Sequence, residues 1–479
     1  MTTDFDQLYV GGAWREPATT NRFTVHSPHD GHVVGTAPAA SPGDIDAAVA
    51  AARDAFDNGS WSNLSVAERI APVERLTALF TERMDAMAEL ITNENGSPIT
   101  FSKLGQVGGP LMMLLSAPAQ AAAVEWETPR PGTTSAGFIV RKEPVGVVGA
   151  ITAWNVPQLL IVAKLVPALL MGCTVVVKPS PETPLDALLL AQMIDESGFP
   201  PGVVSIVPGG ADAGAHLVGH PDVDKITFTG STAVGRAIGA RCGEDLRRVT
   251  LELGGKSAAI VLDDADIEKT VKGLRFSSFM NNGQACAAQT RILASRANYH
   301  DVLHALEASV SEMPVGDPMD EATEVGPLVS AKQWERVQGY IALGEQQGAK
   351  AIIGGAGKPD GLEAGHYVKP TVFAHVDNAM RIAQEEIFGP VVVVIPFDDV
   401  DDAVRIANDS SYGLGGSVWT ADHDAGLDVA RRIRTGSFGI NNYGPDTASP
   451  FGGFKASGIG REWGDEGLAD FIELKSIQG

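Results

Sequence analysis

Lys225-Ile226-Thr227-Phe228-Thr229-Gly230-Ser231-Thr232-Ala233-Val234-Gly235-Arg236 reads as a β-strand, a glycine turn and the opening of a helix. From Ile226 to Thr229 every residue is β-branched or aromatic, as a strand prefers, and Gly230 breaks the run. Such a turn aims backbone N–H groups and the positive helix end at an anion. Gly230 and Gly235 are spaced G-x-x-x-x-G. That is neither the G-x-G-x-x-G fingerprint nor a Walker A motif, because no Lys-Ser/Thr follows Gly235. Taken alone, an ordinary strand-to-helix turn would look the same. Working outward, short β-rich runs at 145–151, 174–177 and 203–207 alternate with helical stretches such as 185–197. Thr183-Pro184 predicts a cap for that helix, with proline at its first position. Strands alternating with helices imply βαβ units and a parallel, doubly wound sheet. A second series runs from about Ser257 to Gly453, with strands expected at 258–262, 351–353, 391–396 and 415–419. Two series imply two α/β domains with a cleft between them.

The 479 residues suit two or three domains. Gly11-Gly12 predicts a hairpin turn within 8–13, and Ser41…Asp44 and Ser65…Glu68 fit capping boxes ahead of alanine-rich helices. Residues 125–142 are polar, contain Pro129 and Pro131, and suggest a projecting hairpin; 469–477 is strand-like. Neither buries itself alone, so subunit pairing is expected. A net charge of −23 argues against nucleic acid and anionic membranes as partners. Three scattered cysteines form no disulfide framework and no metal-ligand spacing, so no metal is expected. The most apolar stretch, 159–177, is interrupted by Lys164, Pro167 and Gly172, and reads as a core helix feeding a strand. The opening Met-Thr-Thr-Asp-Phe-Asp lacks a basic start and an apolar run, so no signal peptide is expected and the location is expected to be cytoplasmic.

Three positions carry chemistry. Lys178-Pro179-Ser180-Pro181-Glu182 leaves the carboxyl end of a strand, where ligands gather in open α/β sheets; a lysine there can hold ribose hydroxyls or a phosphate, or simply be solvated. With the Gly230 loop it points to a dinucleotide. Cys286 has small and polar neighbours, Gly283 among them, which suggests an accessible sulfur among N–H donors, conditions that favour thiolate. Cys173 and Cys242 read as buried and inert. His300 and His304 carry no motif that would make them its base, so a carboxylate is the better helper. Glu252 ends a strand before Gly254-Gly255, two glycines expected to keep the backbone out of its way; a salt bridge or a solvated strand end is the other reading.

Leu251-Glu252-Leu253-Gly254-Gly255-Lys256 and, 34 residues after Glu252, the Gly-Gln-x-Cys segment resemble the aldehyde dehydrogenase superfamily. Trp154-Asn155-Val156-Pro157, Lys178-Pro179-Ser180, Phe228-Thr229-Gly230-Ser231, Glu385-Glu386-Ile387-Phe388-Gly389-Pro390 and Ser449-Pro450-Phe451-Gly452-Gly453 extend the likeness over about residues 8–476. The resemblance implies an α/β fold: a Rossmann-like cofactor domain (1–122 and 144–254), an α/β catalytic domain (255–453), and a small β oligomerisation arm (123–143 and 454–479). It implies oxidation of an aldehyde to an acid, with Cys286 as nucleophile, Asn155 and the Cys286 N–H as oxyanion donors, Glu252 as base, and Lys164 in support. Trp154, Lys178, Ser180, Glu182, Gly210, Gly230, Ser231, Gly235, Leu253, Glu386 and Phe388 would hold the cofactor. Val156, Ala163, Ala285, Pro445 and Phe451 would form the substrate tunnel. The expected assembly is a homo-oligomer, a tetramer rather than a dimer.

The chain departs from the family pattern in three ways. Pro181 stands where many NAD-preferring members carry glutamate, the acid having moved to Glu182; NAD is still expected, with NADP as the alternative. Val156, Ala163 and Pro445 replace frequent aromatics, so a wide tunnel and a bulky, long-chain, aromatic or terpenoid aldehyde are expected. Ala285 and Ala287 flank the nucleophile, leaving no tandem cysteine. The competing readings are a CoA-acylating relative, which usually lacks glutamate at the Glu252 position, and a non-catalytic structural relative, which tends to lose the thiol or its helpers.

Overall fold

Buried runs of β-branched residues build two main sheets in the computed structural model, which describes residues 3–444 and 446–478. In the first, the strands Arg248–Glu252, Lys225–Thr229, Val147–Ile151, Thr174–Lys178 and Val204–Ile206 lie side by side in that order and run parallel. Four of the five are buried over nearly their whole length, which is why they read as unbroken apolar runs rather than alternating ones. The chain begins this set in the middle and adds strands on both sides. The crevice at the carboxyl ends of Val147–Ile151 and Lys225–Thr229 is therefore the topological switch point where ligands bind in such sheets. The Leu8–Val10/Ala13–Arg15 hairpin closes one edge through Gly11 and Gly12, both at positive φ, and Gly458–Ile459 closes the other.

The helices connecting these strands follow their sequence signals in most places. Both capping boxes form, at Ser41–Asp44 and Ser65–Glu68. Pro157–Leu170 starts with proline and turns into the Thr174 strand at Gly172 (φ +91°). The helix Leu185–Glu196 is capped differently from expectation. Pro184 is the N-cap, with no side-chain bond, and the Thr183 hydroxyl is buried without a partner. Glu94, from the helix Met84–Asn95, instead accepts from the N–H groups of Leu185 (2.8 Å) and Asp186 (2.9 Å). A carboxylate contributed 91 residues away does the capping, which no local pattern announces. Glu94→Ala leaves both N–H groups buried and unpaired, and is expected to cost about 2–4 kcal/mol, read as a lowered thermal midpoint.

The second main sheet has the order Lys350–Ile353, Thr371–Ala374, Val391–Phe397, Arg291–Ser295, Ala258–Val261, Gly416–Trp419, Gly439–Ile440, parallel except for its Lys350–Ile353 edge. The four strands read from the sequence are present. The central Arg291–Ser295 was not among them, because Arg-Ile-Leu-Ala-Ser is as compatible with a helix. Residues 127–144 form the expected hairpin, Glu127–Arg130 with Phe138–Pro144. The terminal strand pairs with Phe138–Pro144 but starts at Ile472; Ala469 instead ends the helix Gly464–Ala469. Leu474 and Ile477 on that strand stay exposed. Among the described residues, no helix is long and apolar enough to cross a membrane.

Candidate active site

Trp154 and Asn155 follow the Val147–Ile151 strand, Gly230 and Ser231 follow Lys225–Thr229, and Leu253 and Gly254 follow Arg248–Glu252. All six reach one cavity of about 430 Å3 at the switch point, together with Cys286, Glu182, Glu386 and Phe388. Cys286 is half-buried, and Asn155 is buried with its side-chain amide donating to the Gln284 carbonyl (3.0 Å). One amide hydrogen of Asn155 is thus engaged and a second remains.

The expectation of a thiolate-favouring site at Cys286 is corrected. Burial pushes its thiol up to about 12, and the negative charges of Glu386 and Glu252 add to this. The backbone N–H groups of Ala287 and Cys286 pull the other way and do not outweigh burial. A positive charge brought near the sulfur would favour its ionisation.

Glu252 is buried, and neither carboxylate oxygen has a hydrogen-bond partner, so it is not the structural salt bridge that its sequence left open. Burial first, then the charge of Glu462, raises its pKa well above the usual carboxylate range, while Lys164 and Arg461 act against that. The glycine pair does something other than clear space for Glu252. A Cβ on Gly254 would stand 2.3 Å from the Glu386 carboxylate, and one on Gly255 would stand 2.4 Å from the Cys286 carbonyl. Room for Glu252 comes from Gly452, where a Cβ would lie 2.6 Å from its Oε1. Lys164 does not line the cavity. It is fully buried, donates to Thr229 Oγ1 (2.6 Å) and pairs with Glu462, and its charge also acts on Glu252 directly.

Glu386 Oε1 accepts from the Gly255 N–H (3.0 Å), and burial raises this carboxyl to about 6. The segment after it is held by the helix Ala331–Gln346: Gln333 donates to the Phe388 carbonyl (2.7 Å) and Arg336 to that of Glu386. This explains a phenylalanine at φ +65°, with its ring edge-on to Trp154 at 5.5 Å. Gln333 and Arg336 also line the cavity and carried no sequence signal. Ser231 caps the helix Thr232–Glu244 by accepting from Val234. The Gly230 N–H is bonded to the Glu252 carbonyl, and Gly235 serves close packing, since a Cβ there would meet Leu253 at 2.4 Å. An anion would meet the other N–H groups of the first helical turn. Glu182 faces the cavity and bonds the Ser180 hydroxyl. Lys178 turns its ammonium to the carbonyls of Pro179 (3.0 Å) and Gly209 (2.8 Å), next to Gly210 at the start of Ala211–Gly219, and burial lowers it to about 8.

The tunnel residues divide. Val156 is half-buried where Pro157–Leu170 begins, Ala285 is half-buried next to Cys286, and Phe451 packs on the cluster of Ala287, Leu414 and Tyr443 that adjoins Cys286. Ala163 lines a separate, mostly apolar cavity of about 30 Å3 with Pro167, Met113 and Trp463. Pro445 lies outside the described residues. Trp463, which carried no sequence signal, stacks on Phe451 at 4.4 Å and lines the same small cavity as Ala163.

A model of the aldehyde dehydrogenase family matches residues 14–477. Among curated proteins, geranial dehydrogenase of Castellaniella defragrans is 46% identical over 477 residues, covering 100% of this chain and 99% of that protein. The 3-succinoylsemialdehyde-pyridine dehydrogenase of a Pseudomonas species is 43% identical, with 99% of each chain covered. Among solved structures, a Mycobacterium tuberculosis aldehyde dehydrogenase complexed with NAD+ superposes with a TM-score of 0.98 at 49% identity, over 100% of this chain and 98% of that one. A mutant aldehyde dehydrogenase C from Pseudomonas syringae, complexed with NAD+ and octanal, gives 0.95 at 39% identity over 98% and 96%. With the family model and these relatives spanning nearly its whole length, the chain belongs to the aldehyde dehydrogenase family.

Proposed function

We propose that this enzyme oxidises an apolar aldehyde to its carboxylic acid with NAD+ and water. The observation that carries the reading is that Asn155 and Glu386 line the cavity of Cys286 while a buried Glu252 without a hydrogen-bond partner acts on the thiol through its charge. The cavity residues suit a dinucleotide: an acid at Glu182, a helix N-terminus at Ser231, and Glu386 held ready by the bare Gly254. When bound, NAD supplies the hydride acceptor and a positive charge near the thiol. Cys286 attacks the aldehyde carbon. The spare Asn155 amide hydrogen and the Cys286 N–H meet the oxygen that becomes negative, a donor of this kind supplying about 3–4 kcal/mol. After oxidation to the thioester, Glu252 takes the proton of the hydrolytic water, and Lys164 with Glu462 sets how readily it does so. Glu182 favours NAD over NADP, since its charge repels a 2′-phosphate. The presence of Glu252 supports hydrolysis over transfer to CoA, and turnover in the complete absence of CoA tests it. The first 254 residues apart from the arm would carry the cofactor, 255–453 the nucleophile, and the exposed apolar residues of the terminal strand would pair subunits into a homo-oligomer.

The small side chains at Val156, Ala163 and Ala285 favour a long apolar aldehyde, in keeping with relatives named for geranial and crystallised with octanal. Rates for acetaldehyde, octanal, benzaldehyde and geranial, each with NAD+ and NADP+, test this through NAD(P)H absorbance. Octanal and geranial are expected to lead. Ala163→Trp is expected to lower their kcat/KM about tenfold or more while sparing acetaldehyde. A wild-type preference for acetaldehyde would overturn the tail assignment.

A further inference from the structure

The main-chain carbonyl of Asn155 is surrounded by amide donors from three separate segments. Asn281 Nδ2 donates to it at 2.8 Å, Gln106 Nε2 at 2.9 Å, and Asn95 Nδ2 at 3.4 Å. All three side chains are buried. Asn95 closes the helix Met84–Asn95 and also reaches the Trp154 carbonyl (3.3 Å). Gln106 sits in a π-helical turn, Ser102–Gly108, a distortion that recurs at functional sites. Asn281 belongs to the loop before Cys286 and holds a left-handed backbone (φ 53°, ψ 41°), as do Asn282 and Gly283 after it. One donor is enough to satisfy a buried carbonyl, whereas donors from three segments fix its direction.

Asn281 does more than bond this one group. The same Nδ2 reaches the Gln284 carbonyl (3.3 Å), which also accepts from the Asn155 side chain (3.0 Å). Asn155 and the loop leading into Cys286 are thereby tied together twice, once through each carbonyl. We propose that Asn281, backed by Gln106 and Asn95, is the positioning residue that holds the Asn155 amide and the Cys286 N–H at the spacing required to receive the developing oxyanion. This rests on the thiol-based aldehyde oxidation proposed above. Asn281 touches neither substrate nor sulfur in this role; it acts through Asn155 and Gln284.

Two substitutions separate positioning from folding. Asn281→Gly removes the amide while keeping a residue that adopts φ 53° without strain. Gln106→Met keeps length and shape and removes the donor. For each variant, kcat with octanal, NAD+ affinity by fluorescence titration, and the rate of Cys286 alkylation by iodoacetamide are measured beside wild type. Alkylation displaces iodide at sulfur and builds no oxyanion. The expected result is a fall in kcat of about tenfold to hundredfold, with NAD+ affinity and alkylation rate unchanged. The wild-type octanal rate reports separately on the proposed function. Equal loss of oxidation and alkylation, or loss of neither, in the variants that fold would overturn the assignment.

Discussion

Glu252→Gln enzyme is expected to release about one NADH per subunit in a burst and then to turn over some 10²- to 10⁴-fold more slowly than wild type. The acyl-forming half of the reaction uses Cys286 and Asn155 and remains intact, while the water that attacks the thioester loses its base. The substitution is mild structurally, because burial disfavours the charged form of this carboxyl and an amide of the same shape replaces it. The raised pKa also sets the sign of the pH dependence. The basic form is scarce at low pH, so deacylation rises as pH increases through the pKa. Glu462→Gln removes the neighbouring charge that helps raise Glu252 and leaves Lys164 to act on it, so the acidic limb of the rate profile moves to lower pH. Stopped-flow absorbance resolves the burst from steady turnover. A variant that turns over within about threefold of wild type would remove Glu252 from the hydrolytic step.

Cys286→Ala is expected to abolish oxidation, by at least about 10⁴-fold, with no burst, while NAD+ still quenches protein fluorescence from Trp154 at the cavity wall. Cys173 and Cys242 cannot substitute, since both are buried and neither lines the cavity. In wild type, with the thiol at about 12, the thiolate fraction grows about tenfold per pH unit across the neutral and mildly alkaline range, and the iodoacetamide rate follows it. Adding NAD+ is expected to raise that rate at fixed pH, because a cationic ring near the sulfur offsets Glu386 and Glu252. A rate already flat between about pH 6 and 8 without NAD+ would show that the free enzyme holds a thiolate.

The positions of the chemistry were legible because the motifs mark strand ends. Glu252, Gly230 and Trp154 each lie within a few residues of a β-run that periodicity identifies, and parallel strands bring their carboxyl ends together. Residues that arrive at the site side-on were illegible. Gln333 and Arg336 lie on an ordinary amphipathic helix, and nothing local says that its first turns grip the backbone of residues 386–388. The same applies to Glu94, whose N-capping role depends on where two helices meet.

The sequence by itself determined the two α/β series, the hairpin and terminal strand, and the family, because these depend on short-range pattern and strand order. Tertiary structure decided the direction in which burial shifts Cys286 and Glu252, the pairing of Lys164 with Glu462, and the placing of Trp463 beside Ala163. A pKa in a buried site depends on which charges surround it and how little water reaches it, and a tunnel's width depends on every side chain that enters it. Both are sums over residues distant in the chain, which no local reading contains.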